Sequence, residues 1–170
     1  MSAKKALWCL TGLLLALACD PVHDDAVTAL GTEIDGMGPG PEHRPGQPCN
    51  VCHGSSGPGK PEWSVAGTVF QVKGQTTPLN GATVNLVDAS GRTFVATTNR
   101  AGNFYVDKGQ WEPVYPMHVS IAFAGKVVEM KTHVARDASC AGCHVDPASP
   151  TSPGGVYFAQ SAASFAAGGL

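Results

Sequence analysis

No G-x-S-x-G, H-E-x-x-H or phosphate-cradling glycine loop occurs in this chain. The usual residue sets for serine hydrolysis, zinc proteolysis and nucleotide binding are therefore missing. Charge is scarce: Asp, Glu, Lys and Arg make up 14% of the 170 residues, and the formal net charge is −2. No basic cluster is present, which argues against nucleic acid as a partner. Apart from the adjacent Asp24 and Asp25, Asp and Glu stand singly, as solvated surface charges do, so no catalytic carboxylate pair is expected and the chain does not read as an enzyme. Long apolar runs are also missing. The longest, Ala6 to Ala18, falls short of the about 20 residues a bilayer span needs.

That run reads as a leader. Lys4 and Lys5 precede it, and it ends in Leu15-Ala16-Leu17-Ala18-Cys19-Asp20. Residues 1–18 read as a signal peptide. The ending resembles a bacterial lipobox, which makes Cys19 the lipidated first residue of an exported, membrane-anchored chain facing the periplasm or cell surface. Cleavage after Ala18 with Cys19 left as a free thiol is the other reading, and it leaves an odd exported thiol unexplained. From Cys19 onward the chain carries nine basic and thirteen acidic residues.

The six cysteines then divide cleanly. Cys9 leaves with the leader, Cys19 takes lipid, and four remain in two copies of one pentapeptide. These are Cys49-Asn50-Val51-Cys52-His53 and Cys140-Ala141-Gly142-Cys143-His144. C-x-x-C-H is the attachment pattern of c-type haem: two thiols add to the porphyrin vinyl groups and the adjacent imidazole binds iron. On this reading Cys49, Cys52, Cys140 and Cys143 hold two haems, with His53 and His144 as proximal ligands. The resemblance is to multihaem c-type cytochromes, and it rests on the ten motif residues. Two alternatives stay open. Four thiolates from two C-x-x-C pairs also suit one tetrahedral zinc ion, although zinc does not require a His after each pair. Two vicinal redox disulfides are the other, without any thioredoxin-like βαβ pattern nearby.

Each haem needs a sixth ligand or an open position. His43 lies six residues before Cys49 and His133 seven before Cys140, a near-symmetric placement that makes both candidate distal ligands. Met130 is the best thioether candidate, with core filling as its ordinary role. Met37 falls in a Gly/Pro-rich loop. His118 is expected on the solvent face of a strand, and His23 in a solvated tether. Trp63 and Trp111 read as core or rim residues of a β-domain, positioned to shield a porphyrin if one docks at its edge.

Thirteen of the 26 residues from Gly36 to Pro61 are Gly or Pro, which disfavours helix interior and sheet alike. From Trp63 the pattern changes to short strands between turn signals. Runs are expected at 65–72, 82–87, 92–98, 104–106, 117–123 and 127–130. In the fifth, Met117, Val119, Ile121 and Phe123 alternate with His118, Ser120 and Ala122. This spacing predicts a mainly β fold, a small antiparallel β-sandwich flanked by Gly/Pro-rich loops that carry the C-x-x-C-H motifs.

Pro78-Leu79-Asn80-Gly81-Ala82-Thr83-Val84 and Thr98-Asn99-Arg100-Ala101-Gly102-Asn103-Phe104 resemble the carboxypeptidase-regulatory-like, transthyretin-related sandwich over about 65 residues. That resemblance implies a scaffold without a catalytic site. The expected organisation is a signal peptide over 1–18, a tether and first haem-binding loop over 19–61, the sandwich over 62–131, and a second haem-binding segment with a flexible tail over 132–170. Within that tail, Val156-Tyr157-Phe158 is expected to add a strand or cover a haem edge, and the last ten residues to fray. The function expected is an exported dihaem c-type cytochrome relaying electrons between redox partner proteins. The alternative is a non-redox binding or structural lipoprotein closed by zinc or disulfides.

Overall fold

The computed structural model describes residues 21–33 and 37–167. The expected leader and Cys19 lie outside the described residues. The chain divides into two compact units, residues 1–31 and 32–170. In the first, helix α1 spans Pro21–Ala29, within the segment expected as a tether. Pro21 stands at its first position, where a missing N–H costs nothing. Gly31, at a φ of 71°, follows its end in the left-handed region that suits glycine.

The second unit holds helix α2 (Cys49–His53), strands β1 (Trp63–Val72), β2 (Thr83–Val87), β3 (Thr93–Thr97), β4 (Asn103–Asp107), β5 (His118–Phe123), β6 (Lys126–Glu129) and β7 (Val156–Ala159), and helix α3 (Ala162–Ala166). The strands form two sheets, one ordered β4-β1-β7 and the other β3-β2-β5-β6. The fold is mainly β with two sheets, as the strand pattern predicts.

Alternation decides which residues face inward. Val84 and Leu86 of β2 are fully buried, and Ile121 of β5 lies beside them in one core. Val65 and Val69 of β1, with Phe104 and Val106 of β4, supply the opposing face. Met117 and Trp111 are core residues too, and Trp111 packs on Phe94 with ring centres 5.8 Å apart. Burying such side chains contributes about 1.5–3 kcal/mol each, which is why the sandwich holds with little charge.

One pairing departs from the antiparallel expectation. β7 joins β1 in parallel, with Val69 opposite Val156 and Val72 opposite Ala159. A parallel neighbour needs a long crossover, and residues 73–155, which carry the whole second sheet, supply it. The chain end expected to fray also holds structure. Ser161 caps α3 through a reciprocal capping box with Ser164, and Phe165 packs near Phe158 and Phe123.

Asp88 closes the turn between β2 and β3. Its carboxylate accepts from the Ser90 and Arg92 backbone N–H groups, the Ser90 hydroxyl, the Arg92 guanidinium and the Val114 N–H. Burial alone would raise its pKa. The hydrogen bonds from Ser90, Val114 and Arg92 outweigh burial and hold the carboxyl well below the ordinary 3.8. A carboxylate depressed in this way stabilises the fold above its unfolded pKa, and the contribution is lost as pH falls through the folded value. The melting temperature of Asp88→Asn should therefore lie below that of the parent at neutral pH, and the gap should narrow steadily below about pH 4. A gap independent of pH would remove the ionised carboxylate from the account.

Candidate functional site

Both pentapeptides meet the same strand. The second arrives along the edge of β1. The Ala66 N–H donates to the Ala138 carbonyl at 3.0 Å, and Ala66 bridges Ser139 in parallel. Residues 138–139 thus occupy the edge of β1 ahead of the stretch that pairs with β7. A 3₁₀ turn over Cys140–Gly142 follows, and the His144 N–H donates to the Cys140 carbonyl at 2.8 Å. Gly67 of β1 makes the room: a Cβ there would lie 2.5 Å from Cys140 Sγ and 3.0 Å from Phe104 Cε1.

The first motif is tied to β1 and β4 by polar groups. The Asn103 amide donates to the His43 carbonyl at 3.0 Å, and the Gly46 N–H donates to Thr68 Oγ1 at 2.8 Å. The Thr68 hydroxyl donates in turn to Asn103 Oδ1 at 2.6 Å. Thr68 and Asn103 are buried, so every bond in this chain spares the cost of an unpaired polar group. Asn99 adds a bond to the Pro41 carbonyl at 2.6 Å. Cys49, Cys52 and His53 then fall on one short helix, α2. The chain doubles back over α2, with the Gly59 N–H donating to the Cys52 carbonyl at 2.7 Å. A Cβ at Gly59 would stand 2.9 Å from His53 Cε1, so only glycine lets the loop pass this close.

The imidazoles share one arrangement. His53 Nδ1 donates to the Pro61 carbonyl at 2.8 Å, and His144 Nδ1 donates to the Gly154 carbonyl at 3.0 Å. His43 Nδ1 donates to the Gly40 carbonyl in the same way. A carbonyl only accepts, so each neutral ring carries its proton on Nδ1 and keeps a lone pair on Nε2, the state of a metal-binding imidazole. The His43 and His53 ring centres are 5.8 Å apart. An ion bonded to two opposed imidazoles at about 2 Å would set ring centres about 6 Å apart. His53 also stacks on Trp63 at 5.1 Å, and Trp63 on the exposed Tyr105 at 4.6 Å.

A groove of about 240 Å³ joins the two segments. Gly46, Thr68, Phe70, Cys140, His144 and Val156 are among the residues that line it. The four motif cysteines are free thiols, and Cys143 is the exposed one. Burial pushes Cys49 up to about 11. Burial pushes Cys140 up to about 12, with negative charge from Cys49 and Asp137 adding to it. Among the described residues, no three Cys, His, Asp or Glu side chains converge on one ion position.

No family model, curated protein or solved structure matches the chain. Its site is therefore read from its own residues. Of the sequence candidates, the structure brings together His43, His53 and Trp63 on one side and Cys140 and His144 at the groove. His133 makes its ring contact with His118, at 5.7 Å. Trp111 belongs to the core. Four contributors carried no sequence signal: Gly67, which admits Cys140; Tyr105, which continues the ring stack; and the carbonyls of Pro61 and Gly154.

Two outcomes follow for the protein with its four motif thiols free. Alkylation by iodoacetamide at pH 8 should proceed fastest at Cys143 and slowest at Cys140, because only the thiolate reacts and burial suppresses it. Peptide mapping of a time course reads the order, and equal rates would contradict the packing described. Gly67→Ala should lower stability by about 1–3 kcal/mol through overpacking against Cys140 and Phe104. Denaturant midpoints measure it, and a neutral change would show that the Cys140 turn is free to withdraw.

Proposed function

We propose that this chain is an exported dihaem c-type cytochrome that relays single electrons at a membrane surface. The observation that carries the reading is the capture of Nδ1–H by a backbone carbonyl at both His53 and His144. Each motif then presents two thiols beside an imidazole with its Nε2 lone pair available. Cys49 and Cys52 would hold one haem and Cys140 and Cys143 the other, with His53 and His144 as iron ligands. When bound, haem supplies a one-electron iron couple whose potential follows its axial ligands and its exposure to water.

The remaining residues position that chemistry. His43 would be the second ligand of the first iron, a role supported by its 5.8 Å ring separation from His53. The Pro61 carbonyl fixes the orientation of His53, and Trp63 covers one face of that ring. The sandwich, proposed to be of the carboxypeptidase-regulatory-like type, acts as a scaffold and supplies no catalytic group. Lipid on Cys19 would hold the assembly at a membrane, where redox proteins are its partners. A single zinc ion on the four thiols is less well supported, because these cysteines do not converge on one position.

The test is production of the full chain in a host with c-type haem assembly. Its mass should exceed that of the polypeptide by two haems, and its pyridine haemochrome should give two thioether-linked haems per chain. Colourless protein, or zinc on metal analysis, would overturn the reading. In the haem-loaded protein His43→Ala should convert one of the two irons from low to high spin, seen by electron paramagnetic resonance. An unchanged spectrum would remove His43 as a ligand.

A further inference from the structure

We propose that His118 and His133 form a separate site that binds one divalent transition-metal ion through both imidazoles. The backbone builds the pair. The Met117 N–H donates to the Val134 carbonyl at 2.9 Å and the Val134 N–H to the Met117 carbonyl at 2.8 Å. Residues that exchange both bonds are a hydrogen-bonded antiparallel pair, so the next pair along the ladder, His118 and His133, is of the non-hydrogen-bonded kind. In that kind the Cα atoms come closest, about 4.5 Å, and the side chains stand side by side. Met117 is 1% exposed and Val134 packs on the core. Successive residues of a strand face opposite ways, so both histidines point to the outer face of the second sheet.

The rings meet there with centres 5.7 Å apart and planes tilted by 60°. With metal–nitrogen bonds of about 2 Å, two imidazoles on one ion have centres about 5 Å apart in a tetrahedral arrangement and about 6 Å apart when opposed. The observed separation falls between these limits. Zn²⁺, Cu²⁺ and Ni²⁺ accept imidazole nitrogen, whereas Mg²⁺ and Ca²⁺ prefer oxygen. The two imidazoles leave the remaining positions to water, so the site is an open chelate on the surface. By register Ser120 and Glu129 are the next pair on the same face. The site lies on β5, in the sheet that does not contain β1, and it does not depend on the haem reading.

The experiment titrates the full-length, haem-loaded protein with Zn²⁺ by calorimetry and with Cu²⁺ by electron paramagnetic resonance. One ion per chain should bind, with two nitrogen couplings in the copper spectrum. His118→Asn and His133→Asn should each weaken binding about tenfold or more, since each removes one of two metal–nitrogen bonds. Circular dichroism checks that both variants keep the fold, and the copper spectrum of the parent tests the site without any substitution. Binding unchanged in both variants, or a copper spectrum without nitrogen coupling, would overturn the proposal. Loss of low-spin haem in His133→Asn would overturn it too, by assigning that ring to iron. Should the protein emerge without haem, the same titration after blocking the thiols still reads the imidazole pair, so the two proposals fail separately.

Discussion

Strand β1 is the constraint on which the rest depends, because it must serve the core and the site at once. Its inward residues, Val65 and Val69, meet the opposing sheet. Its other positions serve the flanks: Thr68 takes a hydrogen bond from the first loop, Ala66 pairs with Ser139, and Gly67 leaves space for Cys140. All three are buried. Two segments separated by 87 residues between Cys52 and Cys140 thereby share one rigid support. Sites on strands hold their geometry better than sites on free loops. The Gly/Pro-rich composition of the first segment is workable because its shape is set by bonds to β1 and β4, not by propensity of its own.

Orientation of the imidazoles is a backbone property. Pro61 and Gly154 contribute only their carbonyls, and Gly40 does the same for His43. A carboxylate partner would also fix the tautomer, but it would tie the ring's state to a second titration. A carbonyl does not titrate. The lone pair on Nε2 is thus set by chain path, and chain path here requires close approach, as Gly59 shows beside His53.

Much of this fold was legible because period-two alternation is a local signal. The six expected strands lie within two residues of observed ones, and the Met117, Ile121 and Phe104 core positions follow from the same pattern. Parallel addition of β7 was not legible: pairing partners are chosen by topology, and Val156-Tyr157-Phe158 alone does not name β1. The short α3 rests on a capping box over Ser161 and Ser164 and on aromatic contacts of Phe165, features easily lost in an Ala-rich end. At the site, thiols and imidazoles announced themselves through spacing. Their supports did not, because any residue can lend a carbonyl, and a glycine that admits a neighbour looks like any other glycine.

The two motifs share the C-x-x-C-H pattern yet enter differently, and that asymmetry has physical weight. Cys49 to His53 form a turn of α-helix held against a loop, and His53 sits in a ring stack that reaches exposed Tyr105. Cys140 to His144 follow a strand edge into a 3₁₀ turn, and His144 lines a groove with Phe70 and Val156. Near-equal spacing of His43 and His133 from their cysteines suggests equivalent roles, but spacing measures chain length and not direction. The His43 carbonyl accepts from Asn103, and its ring stands 5.8 Å from that of His53. His133 is carried away by pairing of Val134 with Met117, which locks it to the second sheet. Iron potential responds to ligands, hydrogen bonding and water access together. On the dihaem reading, two pentapeptides of one C-x-x-C-H pattern would therefore hold irons of different potential, and an electron would have a preferred direction of travel between them.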